Sequence, residues 1–162
     1  MKKIIVLLCA LISLCFASVA LAAGFSYSDD LKLGIYTIGD TYDQAKAEVA
    51  FGKLVKTKKL HNKKHGPTMY VQFAKAYLSL HNNTVMGVAS TSPDIKTPKG
   101  VAAGQTVAAI LEKYGDTAAT ASDGEGNTLV VYGGDGAELI FTVSTTESTG
   151  KILGVEVYSN KY

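Results

Sequence analysis

Six lysines and two histidines crowd the thirteen residues Lys53-Leu54-Val55-Lys56-Thr57-Lys58-Lys59-Leu60-His61-Asn62-Lys63-Lys64-His65, with no acid among them. Lys53, Lys56, Lys58, Lys59, Lys63 and Lys64 together could hold lipopolysaccharide, an acidic lipid, an anionic wall polymer or an acidic protein patch. The other reading is a solvated loop or edge strand, whose lysines discourage sheet-to-sheet pairing. Nucleic acid is not expected, because the chain has no Arg for bidentate contacts to bases. His61 and His65 stand four apart, a spacing that sets two imidazoles on one helix face for a metal. The lysines around them repel a cation and no carboxylate or thiol is near in sequence, so neither a metal nor any other cofactor is expected. Catalytic motifs are absent: there is no Gly-x-Ser-x-Gly, phosphate loop or His-Glu-x-x-His. Asp29-Asp30 and Asp40/Asp43 are paired carboxylates, more simply read as acids at helix starts. Gly124-Glu125-Gly126-Asn127 and Gly133-Gly134-Asp135-Gly136 read as hairpin turns, as does the sequon-like Asn82-Asn83-Thr84. No enzyme is expected. An unrecognised hydrolase is the third choice, since members of a triad need not be neighbours in sequence.

The chain opens with Lys2-Lys3, an apolar run from Ile4 to Phe16 and Ala20-Leu21-Ala22. That order predicts a signal peptide over residues 1–22, and hence export, to the periplasm in preference to full secretion. Both cysteines, Cys9 and Cys15, fall inside it, so Ala23 to Tyr162 contains none and must fold without disulfides. No span across a membrane is expected after cleavage. Without Lys2 and Lys3, lysines and acids balance, so the overall charge of +2 belongs to the leader. The distribution is uneven. No acid occurs between Val49 and Pro93, whereas eight lie between Gly100 and the end.

The rest is written twice. Gly39-Asp40-Thr41 through Phe51-Gly52, and Gly104-Gln105-Thr106 through Tyr114-Gly115, predict two short helices with a Thr cap at the start and Gly just past the end. Three β-rich runs follow each: Met69 to Ala74, Ala76 to His81 and Thr84 to Thr91; then Thr128 to Tyr132, Glu138 to Val143 and Ile152 to Ser159. The expected organisation is a first helix–three-strand unit over 23–93, a linker over 94–100 and a second unit over 101–162. Alternation assigns Met69, Val71, Phe73, Leu78, Leu80, Leu139, Phe141, Val143, Leu153, Val155 and Val157 to a face beneath the helices. Tyr70, Gln72, Tyr77, Ser79, Tyr132, Thr142, Glu156 and Tyr158 go to the opposite face. Tyrosines offer rigid area and a hydroxyl, so Tyr70, Gln72, Tyr77, Tyr132, Glu156 and Tyr158 are the candidate protein-binding residues.

The Gly-x-Thr helix, its closing Phe-Gly or Tyr-Gly and the three antiparallel strands, in tandem, resemble the β-lactamase-inhibitor-protein-like fold. Small outer-membrane assembly lipoproteins of the SmpA/OmlA type also use it. The resemblance implies an α+β fold and a non-enzymatic role, binding proteins across the sheet. The chain lacks the acylated Cys of the lipoprotein branch. The expected function is therefore an exported module that recognises an envelope or extracellular protein across its sheet, as inhibitor or assembly scaffold. The alternative is an anionic-surface binder acting through Lys53–Lys64.

Overall fold

The Ala-rich stretch Gln44–Phe51 forms helix α2 and Val107–Tyr114 forms helix α3. Gly52 (φ +84) and Gly115 (φ +81) end them in the left-handed region, each N–H returning to the fourth residue back, Glu48 or Leu111, at 3.0 Å. The N-termini depart from expectation. Asp43, not Thr41, caps α2 by accepting from the Lys46 N–H at 3.1 Å, and the Thr106 hydroxyl caps nothing. Both threonines are instead drawn into bridges with the sheet, Thr41 to Thr84 and Thr106 to Lys151.

The computed structural model describes residues 24–62, 66–116 and 118–161, with backbone alone for 61, 62, 66 and 67. The expected signal peptide lies outside these residues, as do Lys63, Lys64 and His65 and the His61 side chain. A short helix α1 (Tyr27–Asp30) and a two-stranded ribbon, β1 (Lys32–Leu33) with β2 (Tyr36–Thr37), precede α2. After α2 come β3 (Leu54–Asn62), β4 (Gly66–Phe73), β5 (Tyr77–His81) and β6 (Thr84–Ser90). After α3 come β7 (Ala119–Ser122), β8 (Thr128–Gly134), β9 (Ala137–Val143) and β10 (Ile152–Ser159). Helices α2 and α3 are thus each followed by four strands where three were expected. The additional strand of each block, β3 or β7, is an outer edge of one eight-stranded antiparallel sheet ordered β3-β4-β5-β6-β10-β9-β8-β7. The architecture is mostly antiparallel sheet with few helices, which α+β describes only loosely. No helix among the described residues is long and apolar enough to cross a membrane.

The two blocks meet through β6 and β10, with Val88 opposite Val157. Their internal bonding repeats closely. Gly39 donates to the Val85 carbonyl and Gly104 to that of Ile152, both at 2.8 Å, while Val85 and Ile152 donate back to Asp40 and Gln105. Each block also carries a bulge at the same place, at Met86 before Gly87 and at Leu153 before Gly154. The bulge corrects one expectation: Leu153 is 40% exposed and Ile152 takes its place in the core. Phe51 packs on Phe73, and Tyr114 on Tyr132 and Phe141, under the two helices. Tyr132, expected on the open face, is therefore a core residue, 1% exposed, with its hydroxyl donating to the Gly115 carbonyl at 2.5 Å.

Candidate functional site

Residues directly opposite in a sheet share a face, so the register lays out the surface away from the helices. One row reads Lys58, Tyr70, Ser79, Gly87, Tyr158, Glu138 across β3, β4, β5, β6, β10 and β9. The next reads Lys56, Gln72, Tyr77, Ala89, Glu156, Ile140 and, on β8, Val131. Strand spacing of about 4.8 Å places the lysines some 20–25 Å from the glutamates, with tyrosines between. Tyr70, Gln72, Tyr77, Glu156 and Tyr158 are brought together as expected. Gln72 Nε2 donates to the Tyr77 hydroxyl at 3.2 Å. The space over Gly87 is filled by its neighbours in the sheet: a Cβ there would lie 2.6 Å from Ser79 Oγ and 3.2 Å from the Tyr158 ring, and Ser79 is itself buried. Leu129 and Val131 share this face beyond the glutamates and are 7% exposed.

Glu138, which alternation alone did not single out, joins Glu156 here because β9 and β10 are neighbours. The two glutamates are diagonal neighbours on one face. Burial, then the Glu138 charge, pushes the Glu156 carboxyl up to about 7, and burial raises Glu138 as well. None of the ion pairs among the described residues includes either group. A carboxyl raised in the folded state binds its proton more tightly there than in the unfolded chain. Its penalty is therefore present in full above about pH 7 and relieved as pH falls towards the ordinary glutamate value, near 4.5. Glu156→Gln should stabilise the protein by about 2 kcal/mol at pH 8 and flatten stability between pH 5 and 7, as read by urea unfolding across pH.

Among the described residues the lysines of the 53–65 stretch do not converge on one site. Lys56 and Lys58 lie on the open face, whereas Lys59 stands opposite Met69 on the helix side. Lys53, Lys56, Lys58 and Lys59 are all exposed along the edge. The paired carboxylates are structural. Asp40 accepts from the Thr37 N–H at 2.8 Å and Asp43 caps α2. Asp30 is buried, 3.0 Å from Lys99 Nζ, while Asp29 accepts from the Ser26 hydroxyl at 3.2 Å. On the helix side a groove of about 760 Å³ runs along α2 between Ile35, Tyr36, Ala45 and Val49.

No protein-family model matches the chain, and no curated protein matches it. Among solved structures it is similar to an extracellular protein containing an SCP domain from Bacillus anthracis str. Ames. The two share 12% identity with a TM-score of 0.45, over 76% of this chain and 44% of that one. The chain thus spans less than half of that protein's length.

Proposed function

We propose that the chain is an exported, non-enzymatic binding module that recognises an envelope or extracellular protein across the open face of its sheet. One observation carries this reading: both helices pack on one face, leaving Tyr70, Tyr77, Tyr158, Gln72 and the two glutamates in adjacent rows on the other. Tyrosines around a partly desolvated polar centre are the composition of an interface core. The resemblance of the tandem Gly-x-Thr helices to the β-lactamase-inhibitor-protein-like fold supports the same use of the sheet, as inhibitor or scaffold. Export rests on the leader-like residues 1–22, and a periplasmic destination on their length.

The test is capture from an envelope extract, at low and high salt. Tyr70→Ser/Tyr77→Ser/Tyr158→Ser should lower recovery of the captured protein at least tenfold at either salt, with Val49→Ser on the helix side unchanged. Equal recovery by the triple variant would refute the reading. Anionic lipid or polymer, eluted by salt and lost on replacing Lys53, Lys56, Lys58 and Lys59 with Gln, would transfer the function to the edge strand.

A further inference from the structure

We propose that the open face pairs with the open face of a second copy of this chain, about a two-fold axis that runs along the strands between β5 and β6. The inference rests on reading this face as the protein-binding surface and names its partner. Rotation about such an axis preserves position along the strands, reverses strand order and turns the faces towards each other. It sets β3 over β9, β4 over β10 and β5 over β6 of the other copy. In the first row Lys58 then meets Glu138 and Tyr70 meets Tyr158, with the buried Ser79 and Gly87 beneath them. In the second, Gln72 meets Glu156, Tyr77 meets Ala89, and the Lys56 methylenes lie over Ile140.

The match of Lys58 with Glu138 is complementary in charge, and that of Gln72 with Glu156 in hydrogen bonding. The lysines are confined to one side of the face and the glutamates to the other, so a single copy cannot pair them. A two-fold pairs them twice. The two largest side chains of the first row, Tyr70 and Tyr158, meet each other. Tyr77 comes over the small Ala89. Sheets packed face to face lie about 10 Å apart with strands within about 30° of each other, a gap that a lysine and a glutamate close together. Six strands about 4.8 Å apart and some five residues long give a footprint near 25 by 17 Å, or on the order of 1,000 Å² buried in total. That is the low end of specific interfaces, so the expected dimer is weak, with a Kd in the micromolar range.

Sedimentation of the purified protein from 1 to 500 μM reads this directly, with thermal melts to verify that each variant is folded. The wild type should pass from monomer to dimer. K58E and E138K should each weaken association at least tenfold, because either change sets like charges opposite twice. An equimolar mixture of the two single variants should form dimers that neither forms alone, and the K58E/E138K double variant should recover wild-type association. Mixed-variant rescue is specific to a two-fold contact between these positions. A wild type that stays monomeric throughout, or one whose dimer ignores K58E, overturns the inference. In the first case, tyrosine-dependent capture of a different protein would leave the broader reading of the face standing. Loss of that capture result would remove both.

Discussion

Lys99→Met is expected to cost about 3 kcal/mol, seen as a lower urea midpoint at unchanged slope. Lys99 Nζ lies 3.0 Å from Asp30 Oδ2 and 4.5 Å from the centre of the Tyr114 ring. Asp30 is fully buried, and its other oxygen, Oδ1, has no hydrogen-bond partner among the described residues. The Ser26 N–H, at 2.8 Å, is the other donor to Oδ2. Without the ammonium, a fully buried carboxylate is left desolvated, and that orphaned charge is the source of the cost. Asp30→Asn/Lys99→Met removes both charges and should recover most of the loss. A Lys99→Met variant within about 0.5 kcal/mol of wild type would mean that Asp30 finds another cation or water, contrary to the geometry.

Phe141→Ala should be the most damaging single truncation, at about 3–5 kcal/mol. Phe141 is fully buried in β9, between β8 and β10. Its ring lies 5.6 Å from that of Tyr114 and 6.2 Å from that of Tyr132, so one side chain joins the sheet to α3. Truncation opens a cavity that two aromatic rings cannot fill without leaving their rotamers. Chemical denaturation should show the loss, and Phe141→Leu, which keeps most of the volume, should cost less than half as much.

The helix ends and the turns could be read from residues alone. Gly52 and Gly115 close the helices, and Asn82, Asn83 and Asp135 adopt positive φ where their types allow it. Alternation placed Val71, Phe73, Leu78, Leu80, Leu139 and Phe141 correctly beneath the helices. It failed where its premise of one wet and one dry face does not hold. Strand β3 is exposed from Val55 to Lys59, so no apolar period marks it. Strand β7 is only Ala-Thr-Ala-Ser. In β8, Leu129, Val130, Val131 and Tyr132 are all buried, so both faces are apolar there and the side on which Tyr132 falls cannot be told from period. Leu153 moved because a bulge adds one residue. The parallel Val85-Met86-Gly87-Val88 and Ile152-Leu153-Gly154-Val155 was the available sign of it. Of the candidate face, the tyrosines and Glu156 were legible. Glu138 was not, because its position beside Glu156 depends on which strands pair. The link between the basic edge and the tyrosine face was hidden for the same reason: Lys56 and Lys58 join it through their register with Gln72 and Tyr70.

Hydroxyl-radical footprinting of the protein, free in dilute buffer and bound in an envelope extract, tests the role of the open face most directly. Tyr70, Tyr77 and Tyr158 should lose reactivity on binding, while Leu111 and Val49 on the helices keep theirs. Protection of the helix side with the three tyrosines unchanged would contradict the account.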